Sequence, residues 1–431
     1  MKIYNTIDKI EGNIITLKAQ AFYRELAMVG NKLATVIKIE GENVSLQLMG
    51  STKGISKNTH VKFLGKTMSI PLSDKLLGRV ISPEGRPLDS GPEILGKERG
   101  IKGQVINPYT RKVPDKFIRT GIPSIDVYNS LVRGQKIPIF TVPGEPVLEL
   151  LVRIAQGTDA DIIVIGGIGL KFDDYIYLKE EMEKTGAMPK TSMIVHTAAE
   201  PIGEALLVPD TALTIAEYFS EQNLNVLVLL TDMTSWSNAY KEVSITMEKV
   251  PANQGFPGDL YSQLAYRYEK AVEYKSGGSV TIISTTTMPG GDITHPVPDN
   301  TGYITEGQFY LQGGRIQLFG SLSRLKQQVN GKTRDDHRQI MDASVKLYKK
   351  FIEIKEQLSM GFKIDENDRK FLKFGELLEN EILAFHVQMP LESALDKLWE
   401  IIGKCFTAQQ TGIPDKILKR YWRTEEGVSN E

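Results

Sequence analysis

The sequence has few of the residues on which disulfide and metal chemistry depend. One cysteine, Cys405, occurs in 431 residues, so the chain forms no internal disulfide, which fits a reducing, cytosolic compartment. Its neighbours follow a helical pattern, which favours a buried structural thiol over a nucleophile. The five histidines show no metal-ligand spacing such as HExxH. These shortages argue against a disulfide framework and against a histidine-bound metal site.

Long apolar runs and an excess of one charge are also missing. No stretch approaches the ~20 apolar residues that span a bilayer, and the N-terminus does not read as a signal peptide. We therefore expect any membrane role to depend on partners. The 52 basic side chains balance 53 acidic ones, so no net field attracts nucleic acid or an anionic membrane. The length predicts two or three domains, and 41% apolar residues are enough for real cores.

The most informative shortage is in a turn that should grip phosphate. Residues 137–156 read IPIFTVPGEPVLELLVRIAQ, an apolar strand, a glycine turn and a helical pattern, which is the setting of a P-loop. Residues 141–148 contain no lysine, and no Ser or Thr stands where phosphate and magnesium would be met. Instead they carry an acid, Glu145, which would repel phosphate, and Pro143 and Pro146, which lack backbone N–H donors. Two interpretations remain open. The segment is either an ordinary strand–helix unit or part of a nucleotide-binding fold that has lost its phosphate-binding residues.

Two other tripeptides contain the missing lysine, but neither is in a P-loop. Gly65-Lys66-Thr67 lies among stretches of period-2 alternation, and Gly331-Lys332-Thr333 follows a helical pattern. Both lack the leading glycine at the required spacing. The chain therefore has no usable P-loop.

Apolar runs that alternate with helical patterns predict the architecture of the core. Runs at 161–165, 226–230 and 279–284 alternate with helical patterns at 173–184, 210–222 and 259–273, which indicates a parallel sheet covered on both faces. The run at 226–230 leads to Asp232, as a Walker B strand leads to its acid. A cap or turn former is the commoner role for such a residue.

The chain divides by composition into three predicted parts. Residues 1–71 alternate like the strands of a small antiparallel barrel, and residues 72–333 hold the α/β core. Residues 334–431 carry amphipathic helical patterns, for example at 339–357 and 372–384. The fold class is multi-domain α/β, with a helical bundle at the C-terminal end.

Several segments resemble one family closely. They read RVISPEGRPLDSGP at 79–92, RTGIPSIDVYNSLVRGQKIPI at 119–139, TDMTSWSNAYKEVS at 231–244, DITHPVPDNTGYITEGQ at 292–308 and SLSRLK at 321–326. In order and with few gaps, these resemble the B subunits of V-type/A-type rotary ATPases, the non-catalytic beta chains. The resemblance implies an N-terminal β-barrel, a RecA-like core without a functional P-loop, and a C-terminal helical domain.

The resemblance also implies a site. The family places its arginine finger in SLSRL, which makes Arg324 the candidate that acts in trans on the γ-phosphate of nucleotide held by the catalytic A subunit. Tyr303, in TGYITEGQ, resembles a family tyrosine near the same nucleotide, although a core tyrosine beside a turn is nearly as common. ATP or ADP with Mg is then expected at the interface with the catalytic A subunit, and none at this chain's own turn.

The implied partners and location follow from the same family. Three B subunits alternate with three catalytic A subunits in a ring around a central rotor stalk, held by peripheral stalk subunits. The ring is cytoplasmic, peripheral on the inner face of the cell membrane, and meets the membrane only through the ion-translocating sector.

Two departures from the family and two other classes of function complete the sequence evidence. The stretch 309–320, FYLQGGRIQLFG, is shorter than in relatives, and 141–148 differs from their SGSGLPHN-like turn. An independent NTPase, such as a flagellar-export ATPase or a Rho-like helicase, would need its own P-loop lysine. A scaffold or cytoskeleton-binding module without rotary function stays open as an alternative.

Overall fold

The N-terminal part is a curled antiparallel sheet. The computed structural model describes residues 2–50, 52–101, 108–329 and 331–422. The first seven strands are β1 Ile3–Tyr4, β2 Lys9–Glu11, β3 Ile14–Lys18, β4 Leu26–Val29, β5 Lys32–Glu40, β6 Asn43–Leu48 and β7 Val61–Phe63. They form one seven-stranded sheet in the order β1-β7-β4-β5-β6-β3-β2. Alternate side chains such as Ile15, Leu17, Val44 and Leu46 meet in its core, which is the period-2 pattern seen in the sequence.

The central part is built on a parallel sheet. Its strands are β8 Ser69–Leu72, β9 Val80–Ile81, β10 Lys97–Gly100, β11 Arg111–Lys112, β12 Phe117–Ile118, β13 Leu131–Val132, β14 Lys136–Thr141, β15 Ile162–Leu170, β16 Thr191–Thr197, β17 Asn225–Leu230, β18 Val272–Tyr274, β19 Ser279–Thr287, β20 Gly307–Gln312, β21 Arg315–Ile316 and β22 Leu322–Ser323. Seven of them run parallel in the order β20-β14-β19-β17-β15-β16-β9.

Helices cover both faces of this sheet, as predicted. They are α1 Pro123–Asp126, α2 Val147–Gly157, α3 Phe172–Lys184, α4 Ile202–Ala205, α5 Val208–Ser220, α6 Met233–Thr246, α7 Leu260–Tyr268 and α8 Pro296–Ile304. Strand β17 shows the two faces directly, because Val226 and Val228 pack into one hydrophobic cluster and Leu227 and Leu229 into another. A strand buried on both sides has no polar face, which is why its sequence is a continuous apolar run.

The C-terminal part is helical. Its helices are α9 His337–Ser359, α10 Glu366–Leu378, α11 Leu391–Gly403 and α12 Asp415–Tyr421. The pattern at 372–384 continues from α10 into a π-helical turn, Glu379–Leu383. Cys405 follows α11, half-buried against the helical core, and burial raises the pKa of its thiol. The domain boundaries at 71 and 333 stay predictions, and residues 423–431 of the third part lie outside the described residues.

One predicted helix is too long. The pattern at 259–273 gives α7, which ends at Tyr268, and the chain then enters β18, which pairs antiparallel with β19. A turn with two left-handed glycines, Gly277 (φ 105°) and Gly278 (φ 77°), connects the two strands. Strand pairing across this turn overrides the local helical pattern.

Candidate functional site

The segment that carries the candidate arginine is a short edge strand with alternating burial. Ser321 and Ser323 are buried, whereas Leu322 and Arg324 are exposed. The Tyr310 backbone N–H donates to Ser321 Oγ at 3.0 Å, and Ser323 Oγ donates to the Ser130 carbonyl at 3.0 Å. The two serines therefore anchor the segment inward, and the period of two directs Leu322 and Arg324 outward.

A glycine lets this segment approach β20 closely. Strand β22 pairs with the start of β20, with Ser323 opposite Gly307. Gly307 has a φ of 125°, and a Cβ at this position would lie 2.0 Å from the Leu322 carbonyl oxygen. Only glycine fits here, so Gly307 fixes the backbone from which Arg324 projects.

Arg324 is exposed and lightly held. Its guanidinium Nη1 donates to the Thr305 carbonyl at 3.2 Å, and its backbone N–H donates to the Glu306 carbonyl at 3.0 Å. No carboxylate among the described residues lies within 4.0 Å of its guanidinium. The chain thus orients this cation through a neutral carbonyl and leaves its charge uncompensated within the described part.

Glu306, whose carbonyl accepts the Arg324 backbone N–H, has its carboxylate paired with another cation. Glu306 Oε1 lies 2.9 Å from Lys136 Nζ, and its other oxygen accepts the Lys136 backbone N–H at 2.9 Å. Lys136 also contacts Glu269 at 2.9 Å. Burial acts to lower the pKa of Lys136, but the two carboxylates outweigh it and raise that pKa. Glu306 therefore neutralises Lys136 and not Arg324.

Tyr303 is an exposed residue of α8. It is 74% exposed near the C-terminal end of α8, two residues before the carbonyl that accepts the Arg324 guanidinium. Exposure of this size excludes the alternative of a core tyrosine. Both sequence-predicted residues are therefore exposed, and Thr305 connects the end of α8 to Arg324.

Arg324 and the end of α8 lie at the edge of the sheet where the strands begin. The Arg324 backbone bonds to Glu306, immediately before β20, and the parallel neighbour β14 begins at Lys136. The turn after β14 lies at the opposite edge, roughly 17 Å away for a six-residue strand. Nucleotide-binding α/β sheets hold ligands beyond the carboxyl ends of their strands. Arg324 and the end of α8 therefore lie at the opposite edge of the sheet from this chain's own P-loop position.

The turn at the P-loop position, residues 141–148, is held by hydrogen bonds within this chain. The Glu145 carboxylate accepts the backbone N–H groups of Gly313 at 2.7 Å and Gly314 at 2.9 Å. These glycines form the two-residue loop between β20 and β21, with φ angles of 60° and 65° typical of a type I′ hairpin turn. Glu145, read from the sequence only as repulsive to phosphate, also fastens the turn to this hairpin.

Asp232 acts as a helix cap, as predicted. It precedes α6, and its carboxylate accepts the backbone N–H groups of Thr234 at 3.0 Å and Ser235 at 3.2 Å. The Thr287 N–H donates to the same group at 3.2 Å. The carboxylate is thus hydrogen-bonded at the end of β19 and at the first turn of α6.

Sequence reasoning did not identify the residues that position Arg324. Gln135 Nε2 donates to Ser323 Oγ at 3.0 Å and to the Glu306 carbonyl at 3.2 Å. The alternation from Ser321 to Arg324 was a readable signal for an edge strand. The partners Gln135 and Thr305 gave no signal, because each contact joins distant parts of the sequence.

Comparison with known families covers all three parts of the chain. A model of the ATP synthase alpha/beta family, nucleotide-binding domain, matches residues 121–317, and the beta-barrel domain model of the same family matches residues 11–65. The model for the C-terminal domain of V and A type ATP synthase matches residues 326–422. The predicted fold class is confirmed: a β-barrel domain, a nucleotide-binding α/β core and a helical C-terminal domain. Within the described ranges, no helix has both the length and the apolarity to cross a membrane.

Individual relatives match over nearly the whole chain. A V-type ATP synthase beta chain from Borreliella afzelii is 53% identical over 430 residues, which cover 99% of each chain. The Treponema denticola protein of the same name is 52% identical over 426 residues, covering 98% of this chain and 99% of the relative. That of Protochlamydia amoebophila is 49% identical over 427 residues, covering 97% and 98%. The chain therefore belongs to the V-type ATP synthase beta chains of the ATP synthase alpha/beta family.

Proposed function

We propose that this chain is the non-catalytic, regulatory B subunit of a V-type/A-type rotary ATP synthase or ATPase. It alternates with catalytic A subunits, three of each in a ring, and completes their interfacial ATP sites. The ring couples ATP synthesis or hydrolysis to ion transport. The observation that carries this proposal is Arg324, an exposed cation without a carboxylate partner in the described residues, at the sheet edge opposite the chain's own turn.

Arg324 has the chemistry of a finger that acts on a neighbour's nucleotide. A guanidinium is planar and permanently charged, and it can donate two parallel hydrogen bonds to phosphate oxygens. Known arginine fingers raise the turnover of phosphoryl transfer by roughly 10³–10⁵. The single bond to the Thr305 carbonyl is easily exchanged for phosphate, because that carbonyl then returns to water.

Tyr303 supplies an exposed aromatic side chain two residues before Thr305, the acceptor of this cation. Tyr303 is 74% exposed, so its aromatic side chain is available to a neighbouring subunit of the assembly or to the nucleotide that this subunit holds. Its role in the proposal is contact with the interfacial nucleotide, without a part in the chemistry.

The chain's own turn does not fit a nucleotide with magnesium. Residues 141–148 provide no lysine for phosphate, and Pro143 and Pro146 provide no N–H. A carboxylate, Glu145, is held at the start of α2 and takes up two nearby N–H groups. The ATP or ADP, with its Mg, is accordingly assigned to the phosphate-binding turn of the catalytic A subunit, with Arg324 as this chain's contribution.

The remaining partners follow from the assembly. The central rotor stalk passes through the ring, peripheral stalk subunits hold it, and the ion-translocating sector anchors it. The location is cytoplasmic, peripheral on the inner face of the cell membrane.

Reconstitution with the matching catalytic A subunit tests the proposal. We expect the purified chain to hydrolyse no ATP and to show no micromolar ATP affinity by calorimetry. Mixing the two proteins should give a one-to-one assembly in native mass spectrometry and ATPase activity that neither protein has alone. ATP hydrolysis by this chain alone, or the absence of a one-to-one assembly, would contradict the proposal.

A further inference from the structure

One buried amide side chain lies beneath the segment that carries Arg324. It belongs to Gln135, the residue before β14, which is 0% exposed. The Gln135 backbone carbonyl accepts the Ile282 N–H of β19 at 2.9 Å, and its backbone N–H donates to the Val132 carbonyl at 3.2 Å. Gln135 is therefore fixed to an interior strand of the parallel sheet, whereas Arg324 follows a short strand at the edge.

The partners of the Gln135 side chain determine which way its amide faces. Oε1 accepts the Val132 backbone N–H at 3.1 Å. The two hydrogens of Nε2 are then directed to Ser323 Oγ at 3.0 Å and to the Glu306 carbonyl at 3.2 Å. The opposite orientation would place the amide oxygen against the Glu306 carbonyl oxygen and the amide nitrogen against an N–H donor. The orientation with Nε2 toward Ser323 and Glu306 is the one that satisfies all three partners.

Both donor bonds of Gln135 reach backbone segments that hold Arg324. Ser323 immediately precedes the arginine, and the Glu306 carbonyl also accepts the Arg324 backbone N–H at 3.0 Å. The preceding carbonyl, that of Thr305, accepts the Arg324 guanidinium at 3.2 Å. One side chain therefore fixes the strand that carries the arginine and the segment that orients its charged group.

Loss of the Gln135 amide would loosen this segment without detaching it. Ser323 Oγ would keep the Ser130 carbonyl as its acceptor, and the Glu306 carbonyl would keep the Arg324 N–H as a donor. Lys136 holds Glu306 through the carboxylate and so supports its side chain. The amide is thus the contact that ties the two backbone segments to each other beneath the arginine.

We propose that Gln135 is the positioning residue of Arg324 and that it affects turnover only through this arginine. The inference rests on the proposed function, in which Arg324 meets the phosphate of nucleotide held by the catalytic A subunit. Gln135 has no exposed surface, so it touches no nucleotide itself. Groups that stabilise a transition state depend on their placement, and a displacement of about 1 Å can lower a rate by roughly 100-fold.

The test is Gln135→Met in rings mixed with the matching catalytic A subunit. Methionine has a similar length but donates no hydrogen bond, so kcat should fall roughly 10- to 100-fold in rings that assemble normally. KM for ATP should not change, because the catalytic A subunit holds the nucleotide in the ground state. In rings that already carry Arg324→Ala, the same change should lower turnover no further. The control is Gln47→Met, at a second buried glutamine in β6, which should leave kcat unchanged.

Hydrogen exchange of the free chain, followed by mass spectrometry, tests the positioning without the ring. Peptides that cover residues 321–325 include the Arg324 backbone N–H, and they should exchange faster in Gln135→Met than in wild type. Ser323→Ala removes the other end of one of the two Gln135 bonds. It is a smaller change, and it should show the same pattern of exchange and turnover even if Gln135→Met does not fold.

Three results would overturn the proposal. One is unchanged exchange at 321–325 in both variants. Another is near-normal kcat of Gln135→Met and Ser323→Ala rings while Arg324→Ala rings are strongly impaired, which would leave the proposed function standing. The third is a further loss of turnover when Gln135→Met is added to Arg324→Ala, since the glutamine would then act by another route. Near-normal turnover of Arg324→Ala rings would contradict the proposed function itself.

Discussion

The link between Glu145 and the β20–β21 hairpin makes a prediction that separates two roles of this acid. The carboxylate accepts two backbone N–H groups, from Gly313 and Gly314. Glu145→Ala removes both acceptors, whereas Glu145→Gln keeps one oxygen that can accept. If the side chain holds the turn against the hairpin, Glu145→Gln should destabilise the protein less than Glu145→Ala does. Neither change should alter the affinity for nucleotide.

The magnitude follows from the exposure of the two donors. Gly313 is exposed and Gly314 is half-buried, so water takes over part of each lost bond. A net value of about 1 kcal/mol per hydrogen bond predicts a loss of about 2 kcal/mol for Glu145→Ala and about 1 kcal/mol for Glu145→Gln. The exposed Glu93, which also lies outside helices and strands, provides the control Glu93→Ala, which should cost less than about 0.5 kcal/mol.

Urea unfolding followed by circular dichroism measures the stability changes, and calorimetry with ATP measures binding. Neither Glu145 variant should bind ATP, because the turn still lacks lysine and still has two prolines without N–H donors. Equal stability of Glu145→Ala and Glu93→Ala would show that the carboxylate does not hold the hairpin. Micromolar ATP binding by Glu145→Ala would show that repulsion by this one acid, and not the missing lysine, keeps nucleotide out.

Two further predictions concern pH and backbone packing. Burial, followed by the carboxylates of Glu84 and Glu200, raises the pKa of Glu204 from 4.5 to about 8, so the folded protein keeps a proton that the unfolded chain releases. The contribution of Glu204 to stability should therefore be full below pH 4.5 and be lost as the pH rises toward 8. In thermal melts, Glu204→Gln should lose less stability than wild type between these pH values, and an equal loss in the variant would contradict the assignment. Gly307→Ala places a Cβ against the Leu322 carbonyl and should lower the free energy of unfolding in urea by roughly 3 kcal/mol. The control is Gly302→Ala on α8, which has open space around it and should not destabilise the protein. Equal effects of the two changes would refute this packing.

Local patterns predicted those parts of the fold that depend on one element and its burial. The continuous apolar run 226–230 became a strand buried on both faces, and Asp232 after it became a helix cap. The helix predicted at 259–273 was wrong at its C-terminal end. The pairing of β18 with β19 depends on a turn several residues farther along the chain, which the local pattern does not include.

The candidate site was predictable only in part. The motif identified Arg324 and Tyr303, and the exposure of both came from the structure. The contact of Glu145 with Gly313 joins residues 168 positions apart, and that of Gln135 with Ser323 joins residues 188 apart. Periodicity describes neighbours along one element, so it carries no information on such contacts. The roles of Arg324 and Tyr303 stay predictions.

The central claim is that Arg324 acts on nucleotide held by the catalytic A subunit, and steady-state ATPase of mixed rings tests it most directly. Arg324→Ala should lower turnover by roughly 10³ or more, which corresponds to about 4 kcal/mol or more of lost transition-state stabilisation. Arg324→Lys keeps the charge but not the planar fork, so it should also be strongly impaired. Ring assembly should persist in both variants, because within the described residues the guanidinium bonds only to the Thr305 carbonyl. The control is Arg369→Ala, at an exposed position, which should behave as wild type. Near-normal turnover of intact Arg324→Ala rings would contradict the account.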